Sequence, residues 1–165
     1  MSINESDHFQ SKVAKWFNDE AYSDLHLSFQ AEGKVLYCHQ VFLCNWSSVL
    51  RDACEAHDSQ QGQVRVPMSC SYEVAKTALR FCYSGQLQVS PGLLTKVHFF
   101  ALKYDIALLQ RRCEGLLKDS VNTSNCLLFL SYLLDLPDGK QAVFDQDVLE
   151  RCQALAVADF VEVRV

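Results

Sequence analysis

The stretch YCHQVFLC, residues 37–44, holds Cys38, His39 and Cys44 close together. Thiolates and imidazoles are zinc ligands, and a Cys beside a His can act as nucleophile and base. A structural zinc site wants four ligands, usually as two close pairs. Cys38 and His39 are direct neighbours, and their side chains leave the chain in different directions. The other cysteines, Cys54, Cys70, Cys82, Cys113, Cys126 and Cys152, form no CxxC pair. Convergence of distant ligands is a question for the fold. A nucleophilic cysteine needs an exposed, thiolate-stabilising setting. Cys44 instead sits in the apolar run VFLCNW. The stretch therefore predicts no metal, no cofactor and no enzyme. Cys38 and Cys44 read as small core residues where a strand passes into a helix. His39 reads as a structural histidine hydrogen-bonded to nearby backbone.

The surrounding chain is long enough for a substantial core. It has 165 residues, and 49% of them are apolar, which argues against disorder. The net charge is −5, and no run of Lys or Arg suggests a surface that follows nucleic-acid phosphates. The polar start MSINESDHFQ is unlike a signal peptide. The apolar stretch CLLFLSYLLDL is too short to span a bilayer. The chain thus reads as soluble and intracellular, in the cytoplasm, the nucleus or both, with reduced thiols.

The elements that must position these residues follow from periodicity and punctuation. Residues 7–18 predict an amphipathic helix, with Asp7 and Gln10 spaced as a capping box. Phe9, Val13, Trp16 and Phe17 recur on one of its faces. In SDLHLSF, Leu25, Leu27 and Phe29 alternate with His26, Ser28 and Gln30, a half-buried strand. AEGK turns the chain back into VLYC. Two short helices follow, the second capped at Ser47-Ser48, and then the strand QVRVP. Ser71 is the expected cap of the next helix, which YSGQ ends. LQV is a short extended piece. Ser90-Pro91 opens a helix that runs to Tyr104, and Asp105 is the expected cap of another reaching about Lys118. A helix from Thr123 or Ser124 ends at Pro137-Asp138-Gly139, and a last one covers about 145–158.

This ordered set, with SDLHLSF, VLYCHQVFLCNWSSVL, VRVP, FCYSGQL and ALKYDIALLQRRCEGLL, resembles a BTB/POZ domain over about residues 7–120. Asp24 and His39 match the family's signature strand Asp and the His after the second strand. Ser47 and Leu50 match its Ser-x-x-Phe step. Residues 121–165, through NTSNCL and VADFVEV, are similar to the two-helix extension (3-box, or start of a BACK region) of adaptor proteins. The resemblance implies an α+β fold: a helical cluster flanked by a small sheet, residues 1–120, with a helical pair appended over 121–165. It also implies a protein–protein interaction domain that homodimerises and recruits a further protein not named by the sequence. Its leading use is as a substrate adaptor or scaffold of a cullin-3 ubiquitin ligase; the alternative is an oligomerisation module in a scaffold or transcription-related protein with no ligase role. No direct nucleic-acid or membrane contact is implied.

The resemblance places the dimer interface on Phe9, Val13, Trp16 and Phe17. The same stripe has a second reading, as packing on its own domain. Asp52, His57, Asp58, Val121 and Asn122 are the candidate cullin contacts. Two positions depart from the family. Gln40 stands where its transcriptional repressors carry Lys or Arg, and the loop EAHDSQQGQ lacks the hydrophobic-x-Glu motif of many cullin-3 binders. Ala53-Cys54-Glu55 is the nearest imitation and falls early.

Overall fold

The computed structural model describes residues 11–56, 62–122, 125–134 and 150–155. The chain forms two compact units, residues 1–111 and 112–165.

The first unit is built on a three-stranded sheet of order β2-β1-β3, with β1 Leu25–Phe29, β2 Lys34–Cys38 and β3 Val64–Pro67. Gly33, at φ +61°, closes the short 3-10 turn Gln30–Glu32 and lets β2 return antiparallel, with Leu25 opposite Cys38 and Leu27 opposite Leu36. A residue with a Cβ would be strained at that φ. β3 lies parallel to β1 on its other side, with Leu25 opposite Val64 and Leu27 opposite Val66. A parallel pair needs a long crossover. Helices α1 (Gln40–Trp46) and α2 (Ser48–Glu55) supply it.

Because β1 is the central strand, it is buried more fully than its alternation predicts. Leu25, Leu27 and Phe29 form the expected apolar face, but His26 on the opposite face is buried as well. Its ring meets Tyr37 edge to face, with centroids 5.0 Å apart. Gln30, assigned by alternation to the strand, has already entered the 3-10 turn.

Helices α3 (Tyr72–Ser84), α4 (Pro91–Lys103) and α5 (Ala107–Ser120) follow. α3 and α4 bury Val74, Ala78, Leu79, Phe81, Leu94, Val97 and Phe100 in the first unit, and Ile106 and Leu109 extend that core. Pro91 occupies the start of α4, where its missing N–H is harmless. The piece expected to be extended, LQV at 87–89, pairs with no strand among the described residues.

Two caps differ from their local signals. Ser71 takes the cap position of α3 without a side-chain bond. The carboxylate of Glu32, 40 residues away, instead accepts the Tyr72 N–H at 2.7 Å and also holds Lys34 at 2.9 Å. Asp105 does not cap α5. It sits at φ +52°, and its carboxylate accepts from the Ser48 hydroxyl at 2.7 Å.

The second unit buries Cys113, Leu117, Val121, Cys126, Phe129 and Cys152. Its helix α6, Cys126–Leu134, takes its first bonds back to the Asn122 carbonyl. Asn125 secures the turn, accepting from the Asn122 N–H and donating to the Ser120 carbonyl, both at 2.8 Å. The expected caps Thr123 and Ser124 lie outside the described residues. So do the Pro137-Asp138-Gly139 turn and most of the last predicted helix, of which residues 150–155 are helical. Among the described residues no helix is long and apolar enough to cross a membrane.

Ser47 is the single residue between α1 and α2, and it is buried. Its hydroxyl accepts the Leu50 N–H at 3.0 Å and donates to the Tyr104 carbonyl at the end of α4. Ser47→Ala removes both bonds and leaves buried partners behind. The expected loss is about 2–4 kcal/mol, the sum of a helix cap and a stranded acceptor. Ser48→Ala, at an exposed hydroxyl, is expected to cost less than about 1 kcal/mol. Urea unfolding of the two variants checks this; equal midpoints would show that Ser47 is not the linchpin.

Candidate functional site

The structure answers the question raised by YCHQVFLC. Cys38 ends β2 and is fully buried, and burial pushes its thiol well above the usual range. A thiol so disposed is a poor nucleophile. Cys44 is half-buried on α1, more open than its apolar run predicts. His39 is buried, but its partner is not nearby backbone. Its ring Nδ1 lies 3.2 Å from the Tyr83 hydroxyl, which also accepts the His39 backbone N–H at 2.8 Å. Tyr83 is 44 residues away, in the last turn of α3. Burial raises its phenol far above the ordinary value, so it stays protonated.

A Ser–His contact elsewhere has the residue types of a catalytic dyad. The Ser23 hydroxyl is 3.1 Å from His26 Nε2, and both residues are buried. The same hydroxyl donates to the Glu20 carbonyl at 2.9 Å. Its single proton is therefore engaged there, and it accepts from the imidazole rather than being deprotonated by it. The arrangement pins the entry to β1. Among the described residues no three of His, Cys, Asp and Glu gather to hold a metal ion.

Asp24 enters β1 one residue earlier. Its carboxylate accepts the Gln40 N–H at 2.8 Å, the first N–H of α1, and the Gln40 side chain donates to the Asp24 carbonyl at 3.1 Å. With Gln at position 40, the carboxylate is held by neutral donors and no ion pair forms between these two residues. Asp24 and His39 are thus neighbours in structure, each fixing one side of the β2–α1 junction.

Around His39 the chain builds an aromatic cluster. Residues 11–13 are helical, and the helix tightens into a 3-10 turn at Ala14–Trp16. Burial divides the predicted stripe. Val13 is buried in its own chain. Phe17 is half-buried, 5.2 Å from the Tyr83 ring. Trp16 lies 6.0 Å from both His39 and Phe42, yet remains 52% exposed. Val41, one residue before Phe42, is 67% exposed. Phe9 lies outside the described residues. The inner edge of the cluster is core, and its outer edge is open apolar surface.

The candidate cullin contacts fall in both units. Asp52 is exposed on α2, in the first unit. Val121 and Asn122 belong to the second unit. Asn122 is exposed, whereas Val121 is 4% exposed and packs inside the chain. His57 and Asp58 lie outside the described residues. Within Ala53-Cys54-Glu55, Cys54 is a buried residue of α2, so it offers no apolar anchor to a partner. Leu127 and Leu128 on α6 are 59% and 57% exposed, the open apolar area expected of CLLFLSYLLDL.

Sequence reasoning missed Tyr83, Glu32 and the Ser23–His26 pair. No local pattern links Tyr83 and Glu32 to the groups they satisfy, 44 and 40 residues away, and the Ser23–His26 contact, though local, depends on how the chain enters β1. A groove of about 410 Å³ also opens beside α3, lined by Ser11, Ala14, Glu73, Lys76, Thr77 and Arg80 among others. Its charges are of both signs, and no nucleophile–base pair lines it.

Tyr83→Phe keeps the ring and deletes the hydroxyl. It strands the buried His39 N–H, with an expected loss of about 1–3 kcal/mol. Hydrogen exchange at the His39 amide is expected to accelerate. Unchanged protection there would show that the phenol is not its partner.

Comparison with known proteins bears on all of this. Residues 14–121 match the family model described as BTB/POZ domain. A curated relative, BTB/POZ domain-containing protein At1g01640 of Arabidopsis thaliana, is 27% identical over 114 residues, 67% of this chain and 55% of that protein. The chain thus spans about half the length of that relative. Among solved structures, the BTB domain of zebrafish PATZ1 superposes with a TM-score of 0.58 at 14% identity, over 70% of this chain and 93% of that one. At that identity the likeness is one of fold. The chain belongs to the BTB/POZ domain family, whose members are protein-interaction modules.

Proposed function

We propose that this chain is a homodimerising adaptor that presents a recruited protein to a cullin-3 ubiquitin ligase. The observation that carries the dimer is the open edge of the aromatic cluster, Trp16 and Val41. Fully burying a large apolar side chain is worth about 1.5–3 kcal/mol, so two half-open ones favour a covering surface. A twofold interface uses the same patch on both copies. Continuity of this patch with the N-terminal helical segment supports a second copy as its cover.

For the ligase role the support is thinner. Residues 121–165 are similar in sequence to a 3-box or partial BACK region, and among the described ones 126–134 and 150–155 are helical. Asp52 and Asn122 are exposed and available to a partner. Leu127 and Leu128 add apolar surface of the kind that carries interface hot spots. With Cys54 buried, the loop-side anchor is missing, and these leucines are the compensating contact. The second reading, an oligomerisation module with no ligase role, is favoured by that missing anchor.

Two experiments separate the parts. Trp16→Asp would set two unpaired charges into an apolar twofold interface, a severe penalty. Light scattering is expected to give a dimer for the native chain and a folded monomer for the variant. A native chain that is monomeric at high micromolar concentration would mean the cluster needs no second copy.

Calorimetry with the N-terminal domain of cullin-3 tests the other half. Leu127→Lys with Leu128→Lys, in the full chain, is expected to weaken binding tenfold or more, which corresponds to about 1.4 kcal/mol. Asp52→Lys is expected to act in the same direction. If the native chain gives no heat, the adaptor reading fails and the assembly module remains.

A further inference from the structure

The groove beside α3 has no part in the aromatic cluster or in the proposed dimer and cullin contacts. Its volume is about 410 Å³, and its lining includes neither Trp16 nor Val41. One face of α3 forms its length. Glu73, Lys76, Arg80 and Ser84 line it at steps of three or four residues, the spacing that keeps side chains on one side of a helix. From Glu73 to Ser84 a helix rises about 16 Å. That is the length of about five residues of extended chain. Ser11 and Ala14, from the N-terminal helical segment, supply a further wall, and Gln86 and Gln88 continue the lining past the end of α3. All of these residues belong to the first unit.

The charges along this face have an order. Glu73 comes first, and Lys76 and Arg80 follow. Arg80 is exposed and Lys76 is half-buried, its Nζ 5.6 Å from the centre of the Tyr72 ring. Neither cation has a carboxylate partner among the described residues, where the one ion pair joins Lys34 to Glu32. On a chain of net charge −5, the groove is a place where cations outnumber carboxylates. Glu73 at its end repels a uniform polyanion, so the lining does not suit a nucleic-acid backbone. A peptide with mixed charges answers all three groups. Lys76 and Arg80 are four residues apart, about 6 Å along the helix. Side chains two apart on an extended peptide leave on the same face, about 6.8 Å from each other.

We propose that this groove binds an extended segment of another protein in which one basic and two acidic residues alternate with small polar ones. The basic side chain faces Glu73, and the two carboxylates face Lys76 and Arg80 in turn. Past the second carboxylate, the amides of Gln86 and Gln88 donate to and accept from the peptide backbone. Each exposed ion pair is weak alone and is screened by salt. Selectivity therefore rests on the order of the charges, since a segment of reversed signs meets like charge at all three positions.

The probe is a fluorescein-labelled peptide with the order lysine, serine, glutamate, serine, glutamate, serine. Its control carries the opposite signs: glutamate, serine, lysine, serine, lysine, serine. Fluorescence anisotropy is read against the full chain at low salt. The expected result is saturable binding of the first peptide, about fivefold or more tighter than the control, that weakens as salt is added. Lys76→Glu with Arg80→Glu is expected to remove the preference. Equal binding of the two peptides, or no saturation by about 1 mM chain, overturns the proposal. That comparison needs only the native chain, so it decides the matter even where the variant fails to fold. An unchanged preference in a folded variant also overturns it, because the peptide then sits elsewhere. So does a dimer, seen by light scattering, that the native chain forms and the folded variant loses while no peptide binds: the groove then belongs to a second copy.

Discussion

One hydroxyl organises the helical half of the interaction domain. Ser47 ends α1, caps α2 and donates to the last turn of α4. A corner made of a single residue leaves α1 and α2 no slack. With α1 fixed there, its other end must meet β2, where Asp24 and Tyr83 close the junction through Gln40 and His39. The crossover that makes β3 parallel to β1 therefore hangs between two polar anchors in an otherwise apolar interior. Each anchor is satisfied on both sides, which is why a buried serine and a buried histidine are tolerated.

The same anchors decide what is left open. His39 is turned inward by Tyr83, and the ring it offers outward is covered by Trp16 and Phe42. Phe17 and Phe42 both pack on Tyr83, at 5.2 and 5.0 Å. Such aromatic contacts add about 0.5–1.5 kcal/mol each beyond burial alone. The cluster holds the N-terminal segment to its own chain, and it leaves the outer faces of Trp16 and Val41 in solvent. The two readings of the Val13–Trp16–Phe17 stripe are thus not exclusive. Its inner members serve the fold, and its outer member is free for a partner.

How much of this was legible depends on how far apart the interacting residues are. The alternation of Leu25, Leu27 and Phe29, the Ser47 cap, Pro91 at a helix start and Gly85 at a helix end all act within a few positions. A reading of neighbours finds them. Ser71 and Asp105 carried equally good local signals and make no side-chain cap: Glu32 takes the Tyr72 N–H from 40 residues away, and the Asp105 carboxylate is bonded by Ser48, 57 residues away. His26 was placed on a wet face because period-two alternation cannot tell a central strand from an edge strand. For the site, Asp24 and His39 were legible through the family pattern, but Tyr83, which makes His39 structural, was not. Of the interface stripe, spacing groups Val13 with Trp16 but cannot tell that its own chain covers Val13 and leaves Trp16 half open.

Gln40 shows how one departure redirects a surface. A Lys or Arg there would pair with Asp24 and leave a charged patch beside His39, able to orient a charged partner before contact. Gln40 instead gives both of its donors, backbone and side chain, to Asp24. The carboxylate thereby accepts the first N–H of α1. Next to it stand Val41, Phe42 and Trp16. A partner at this edge would therefore meet apolar side chains rather than a fixed charge pair. That suits a second copy of the same surface, since identical patches brought together by a twofold axis would set like charges near one another but bury like apolar groups without penalty.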